Sequence, residues 1–235
     1  MAYNKRVDGR AFNEARDMEA KAGVVKRADG SAMFRIGKTI AIASVFGPRE
    51  LFPGFLQNPE TGILRSNYDM LSFSVNERKR PGPNRRSVEI SMVTNNSLLP
   101  ALDLTKFPNT VVDVFIEIIQ ADSGTRCAGI CAASMALADA GIPMKGLVSA
   151  VSVGKVGNML VVDLNKEEED YEEGATDIPI AMLSQNKEVT LLQLDGDVTQ
   201  DDIKELIKIG SEVCEQIHEL QVKALKDKYQ GELDE

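Results

Sequence analysis

Residues 110–141, "TVVDVFIEIIQADSGTRCAGICAASMALADAG", constrain the fold more than any other stretch of the chain. Positions 110–121 are β-branched and nearly all apolar, as in a strand buried on both faces. The composition then changes to small side chains, with Ala128, Gly129, Ala132, Ala133 and Ala136, which let a helix approach a sheet closely. The spacing predicts a helix that begins between Ser123 and Thr125 and stops at Gly141, ahead of Pro143. Such a junction aims backbone N–H groups out of the helix start, where they favour an anion. The Thr125 hydroxyl and the planar cation of Arg126 suit phosphate. Strand–glycine–helix junctions are common, so this one alone leaves a plain turn and an anion site both open.

Around this unit the pattern alternates. Residues 17–47 read as successive strands, with turn signals at Asp29-Gly30 and at Gly37. Residues 50–62 read as a loop and 63–75 as a further strand. A helix fits 84–102, with Asn84 as its N-cap behind Pro83. From 147 strands return in "LVSAVSVGKV", "MLVVDL", "DIPIAML" and "VTLLQLDG", interrupted by an acidic loop at 165–175. A long amphipathic helix closes the chain from Thr199, with Ile203, Leu206, Ile207, Val213, Cys214, Ile217 and Leu220 as its apolar stripe. This order predicts an α+β chain in two halves, divided near residue 146.

The formal charge of −9 argues against a protein that coats nucleic acid nonspecifically. It leaves room for a local basic site, and five of the nine residues in "RKRPGPNRR", 78–86, are basic. No apolar run reaches membrane-spanning length, and "MAYNKRVDGRAFNEARD" lacks the apolar centre of a signal peptide. A cytoplasmic location without a membrane partner is therefore expected. Cys127, Cys131 and Cys214 form no CxxC pair and are expected to be buried, reduced thiols. A single histidine, His218, argues against Ser-His-Asp or Cys-His machinery; a partly exposed place on the last helix is expected for it.

Two further features bear on chemistry. Arg85 and Arg86 occupy the first turn of the helix over 84–102, where a cation costs about 0.3–1 kcal/mol against the helix dipole. Bound phosphate would turn that cost into attraction; otherwise the pair points to solvent or meets Glu89 one turn on. The acid-rich run 167–177 reads as a solvated surface, but Asp170 and Asp177 bracket it, and Asp177 adjoins an apolar strand that would fix it. Fixed carboxylates beside a phosphate site suit a divalent metal or a general acid.

Taken together, "RVDGR" (6–10), "ADGSAMFRIGKTIAIASVFGPRE" (28–50), "FSVNERKRPGPNRRSVEI" (73–90), "QADSGTR" (120–126) and "ALADAGIPM" (136–144) resemble the RNase PH family. The likeness runs from about Arg6 to Tyr229 and is greatest to the catalytic RNase PH-like subunits of archaeal exosomes. It implies an RNase PH-like fold of two α/β halves, 1–145 and 146–235, with mixed and antiparallel sheets packed by helices. It implies a 3′→5′ exoribonuclease that uses inorganic phosphate as co-substrate, with Mg²⁺, and releases nucleoside diphosphates reversibly. The implied partners are a single-stranded RNA 3′ end, an inactive paralogue in a hexameric ring, and RNA-binding cap subunits.

By position, the resemblance assigns Arg85 and Arg86 to the RNA 3′ end. Gly124, Thr125 and Arg126 fall in the phosphate turn. Asp177 becomes the proton-donating or metal-binding acid and Asp170 its companion. Asp170 and Asp177 stand seven apart where the family usually has six, so Glu168, Glu169 or Glu172 could replace Asp170. The loop at Phe52-Pro53-Gly54-Phe55 stands where archaeal subunits often carry basic residues at the pore neck, which puts electrostatic gripping of RNA there in doubt. Arg65 is a possible substitute, though it is better placed in a strand. A homohexameric RNase PH that trims tRNA ends and an inactive ring scaffold are the alternative readings.

Overall fold

The computed structural model describes residues 3–172 and 174–231. The first half carries β1 (Met18–Ala22), β2 (Gly30–Ile36), β3 (Thr39–Glu50), β4 (Ile63–Met70), α1 (Arg85–Leu98), β5 (Thr110–Gln120) and α2 (Thr125–Asp139). Its five strands form one sheet in the order β1-β2-β3-β5-β4. Pairing is antiparallel except between β4 and β5, where Ile63 faces Val111 and Met70 faces Ile118. The second half carries β6 (Val148–Val156), β7 (Met159–Val162), α3 (Lys166–Glu169), β8 (Ala175–Leu183), β9 (Glu188–Leu192) and α4 (Gln200–Gly231). Its sheet is antiparallel, in the order β7-β6-β8-β9.

The small residues of α2 explain how the two sheets meet. Ala128, Cys131, Ala132, Ala133 and Ala136 are all within 3% of complete burial, because α2 packs on β2 and β3 on one side and on β6 on the other. A single bulky side chain would part the layers. Gly30 illustrates the tolerance: a Cβ there would stand 2.2 Å from the backbone nitrogen of Ala140. The remaining cover is α4, which packs on β6 and β1 with Leu206, Val213, Cys214 and Ile217 buried.

The parallel β4–β5 pair decides where the site lies. Parallel neighbours finish at the same end of a sheet, so the segments leaving Met70 and Gln120 start from one edge. Those segments lead into α1 and α2, and both helix starts gather there.

Several boundaries differ from expectation. The helix expected to reach 102 stops at Leu98, with a 3₁₀ turn over Leu99–Ala101 that contains Pro100. The strand expected over 63–75 ends at Met70, and a loop carries the chain to Asn84. The acidic segment is not all loop: Asn165 caps α3 by accepting from the Glu168 N–H. Residue 173 of that segment lies outside the described residues. The three cysteines are free and buried, and burial raises each thiol pKa. His218 is half-buried on α4.

Candidate active site

The start of α1 is capped by neutral groups. Asn84 Oδ1 accepts from the Ser87 N–H at 3.0 Å, and the Asn84 N–H donates to Ser87 Oγ at 2.8 Å. No acid stands in the first turn, so the positive end of the helix is left without an anion. Arg85 and Arg86 are exposed and make no ion pair with any described residue. Glu89, the alternative partner of this pair, faces Arg126 instead at 3.7 Å. Arg86 is close enough to act on the ionisation of Tyr68, Lys79 and Lys166. Lys79 Nζ is buried without a hydrogen-bond partner, and burial depresses its pKa. Among the described residues Arg85, Arg86 and Lys79 are thus left without an ion pair here, while Lys166 meets Glu169 and Asp170.

The start of α2 is built differently. Ser123 and Gly124 both take positive φ, 61° and 65°, and no side chain caps the helix. Its first N–H groups remain available to a ligand. The turn is held from beneath. Thr39 Oγ1 donates to Ser123 O at 2.7 Å and accepts from the Asp122 N–H at 2.9 Å. Arg16 donates to Asp122 O, and Asp163 fixes Arg16 in turn, at 2.7 and 2.6 Å. Gly124 has a second constraint besides its φ, since a Cβ there would lie 3.3 Å from Arg16 Nη2. Arg126 donates to Gln193 Oε1, just beyond β9. A side chain of the second half thus orients a cation of the first.

The acids come from the second half. Asp177 lies in β8, and Ser152 Oγ of β6 donates to its Oδ1. Burial pushes the Asp177 carboxyl up to about 6, with Glu169 and Asp195 adding to the effect and Ser152 and Arg126 opposing it. A carboxyl near 6 can hold or yield a proton at neutral pH. Asp170, its expected companion, is turned away: its side chain is 63% exposed and pairs with Lys166 Nζ at 2.7 Å. Glu169 takes the nearer place, accepting from Ser123 Oγ at 2.5 Å and acting on Asp177. Glu168 is not available, because Tyr3 and Arg6 occupy it at 2.6, 2.8 and 2.7 Å. One turn of α3 separates these fates. Glu168 points into the core, Glu169 toward the turn at Ser123, and Asp170 follows the last helical residue into solvent.

The structure therefore brings Arg86, Thr125, Arg126 and Asp177 to one corner, with Gly124 shaping the turn between them. Sequence reasoning missed Arg16, Thr39, Asp163 and Gln193, which support the corner, and Tyr68, which borders it. The available signals were weak: an aspartate ending the apolar run "MLVVD", and an arginine ahead of β1. The loop at Phe52–Phe55 lies elsewhere. It precedes the Ile63 end of β4, about 25 Å from the corner by strand length, and Phe52 and Phe55 are 86% and 85% exposed. Arg65 belongs to β4 and pairs with Asp113 at 2.5 Å.

Comparison with known proteins decides the family. Residues 14–143 match the first domain of the 3′ exoribonuclease family, RNase PH, and residues 146–213 match its second domain. The chain belongs to the RNase PH family. Exosome complex component Rrp41 of Thermococcus kodakarensis is 52% identical over 225 residues, covering 96% of this chain and 90% of that protein. Rrp41 of Nitrosopumilus maritimus is 49% identical over 227 residues, covering 97% and 92%. The Archaeoglobus fulgidus exosome with RNA bound to its active site aligns with a TM-score of 0.80 at 25% identity, over 92% of both chains. Rice Rrp46 aligns with a TM-score of 0.84 at 25% identity, over 94% of this chain and all of that one. As an RNase PH-family member the chain is a phosphorolytic 3′→5′ exoribonuclease.

Proposed function

We propose that this chain is the catalytic subunit of an exosome-type ring, alternating with an inactive RNase PH-like paralogue and carrying RNA-binding cap subunits on one face. The observation that supports it best is the assembly of unneutralised cations and open helix-start N–H groups opposite an acid whose pKa is pushed up to about 6. An inactive paralogue has no use for that acid. Val88, Met92 and Leu99 share one face of the α1 region and are 62%, 58% and 45% exposed, which suits a neighbouring subunit. Free buried cysteines suit the reducing cytoplasm.

In this reading Arg85 and Arg86 hold the phosphates at the RNA 3′ end. Thr125, Arg126 and the α2 N–H groups hold orthophosphate in line with the last phosphodiester. A phosphate oxygen bonds to that phosphorus, the P–O3′ bond breaks, and a nucleoside diphosphate departs. Asp177 gives its proton to the O3′ that remains on the shortened RNA; the reverse sequence adds a nucleotide to the tail and returns phosphate. The cations need only be positioned, because charge stabilisation and alignment supply most of the rate in phosphoryl transfer.

Mg²⁺ belongs to the proposal too. Among the described residues no three carboxylate, histidine or thiol ligands assemble. The donors present suit the way Mg²⁺ is commonly held, by one or two carboxylates with phosphate oxygens and water. Glu169 would supply a protein ligand, with Asp177 as a second only in its ionised form, and the ion would offset charge on the reacting phosphates.

The experiment is degradation of oligo(A) by the chain, alone and with its paralogue, at graded phosphate concentrations. Nucleoside diphosphates formed only when phosphate is present are the expected products. Nucleoside monophosphates released in phosphate-free buffer would mean hydrolysis and end the reading.

A further inference from the structure

Tyr68 lies in β4, between the two helices that build the site. Its backbone N–H donates to Ser91 Oγ of α1 at 2.9 Å. Its ring packs on α2 at Gly129, where even a Cβ would stand only 3.7 Å from ring atoms Cδ2 and Cε2. The ring therefore runs along α2 toward its start, one turn back from Gly129. The residue is 3% exposed, yet its hydroxyl has no hydrogen-bond partner in good geometry. The groups that act on it are the Thr125 hydroxyl, within hydrogen-bonding reach, and the charges of Arg86, Arg126 and Asp69. Both arginines are donors only, and Asp69, the next residue of β4, lies on the opposite face of the sheet, which leaves Thr125 Oγ1 as the acceptor. The phenol stays un-ionised, since burial pushes its pKa up to about 12, and it remains a donor at any working pH.

A threonine hydroxyl that accepts one hydrogen bond must direct its own proton elsewhere. The Thr125 hydroxyl donates to no other described residue. A buried phenol left unpaired is unfavourable, so a short movement of Thr125 toward Tyr68 is favoured once a ligand takes the Thr125 proton. We propose that Tyr68 is a positioning residue of the phosphate site: its hydroxyl donates to Thr125 Oγ1 and so turns the Thr125 proton outward, onto the bound phosphate. The proposal rests on the phosphorolytic reading above and adds a second-layer residue to it. Tyr68 itself does not touch phosphate; it fixes the direction of a hydroxyl that does.

Tyr68→Phe keeps the ring and removes only the hydroxyl. In the full chain, in its active assembly, this variant should raise the KM for phosphate about 5- to 10-fold. Affinity for RNA should stay at the wild-type value and the melting temperature should not fall, because the lost hydroxyl was unpaired in the unliganded protein. In a Thr125→Val background the same change should add nothing, since the group it acts through is gone. An unchanged phosphate KM overturns the proposal, whether or not the melting temperature moves. An equal further loss in the Thr125→Val background overturns it as well, because Tyr68 would then act by another route. Should the variant fail to assemble, wild-type protein carrying ¹³Cζ-tyrosine provides the readout. One tyrosine resonance should move on addition of inorganic phosphate and stay fixed in Thr125→Val; no movement in the wild type overturns the proposal. Wild-type activity that ignores phosphate would instead sink the phosphorolytic reading, so the two failures are distinguishable.

Discussion

Two groups of arginines in this molecule are treated in opposite ways. Arg6 and Arg16, ahead of β1, are buried at 2% and 8% exposure. Arg6 meets Glu168 through two nitrogens and donates to Val162 O and Asp163 O as well. Arg16 grips both oxygens of Asp163. Arg85 and Arg86, at the start of α1, are exposed and have no carboxylate partner among the described residues. Desolvated cations are tolerable only when saturated with acceptors, so the first group is a clasp between the halves. Cations left unsaturated at a helix start are unfavourable by themselves, and only an arriving anion reverses the sign. Saturation separates Arg6 and Arg16 from Arg85 and Arg86.

The contrast can be broken at its strongest point first. Arg6→Ala strands Glu168 in the core and should cost about 3–5 kcal/mol of stability, read as a large drop in denaturation midpoint with unchanged RNA contacts in whatever remains folded. Next, Asp177→Asn should lower turnover about 10³-fold while RNA affinity stays close to wild type, measured by single-turnover kinetics and direct binding. Arg86→Ala comes third, with about 10²-fold lower rate and weaker RNA binding but a shift in stability within about 0.5 kcal/mol. Equal destabilisation by Arg6→Ala and Arg86→Ala would erase the distinction between the two groups.

Smaller effects sharpen it. The Asp177 carboxyl is raised from 3.8 to about 6 by burial, so the folded state favours its protonated form. The stability this contributes is complete below about pH 4 and is lost as pH rises through 6. Asp177→Asn should therefore stabilise the fold at pH 8, by on the order of 2 kcal/mol, and the gain should vanish near pH 4. Melting curves in chelator at the two pH values check the sign. Glu169→Gln should disturb rate more than Asp170→Asn, which should stay within about threefold of wild type because Asp170 is exposed and paired with Lys166. The reverse order would return the companion role to Asp170.

The strand–turn–helix unit at 110–141 was legible because its signals are local. A β-branched run, a glycine turn and a small-residue helix each follow from nearest neighbours. Arg85 and Arg86 were legible for the same reason, as charges of the wrong sign at a helix end. The acidic segment was not legible. Glu168, Glu169 and Asp170 are adjacent and chemically alike, and nothing in their order says which is buried, which faces Ser123 and which meets water. That depends on Asn165 capping a single turn and on Arg6 reaching across from the other end of the chain. Arg16, Thr39 and Gln193 were invisible on the same ground, since each acts on a residue more than 60 positions away.

The sequence by itself determined most of the elements, the single turn of α3 excepted, and the resemblance to the family. It also placed three kinds of group, cation, open helix start and acid, in the order the chemistry needs. Periodicity, caps and turn residues act over a few positions, and a linear reading captures them. Only the tertiary structure decided that β4 and β5 run parallel, so that two helix starts share one end of a sheet. It alone placed Glu169 nearer than Asp170 to Asp177, and Tyr68 against the first turns of α2. Those facts depend on distance in space and on which partner reaches a charge first, quantities that spacing along the chain does not carry.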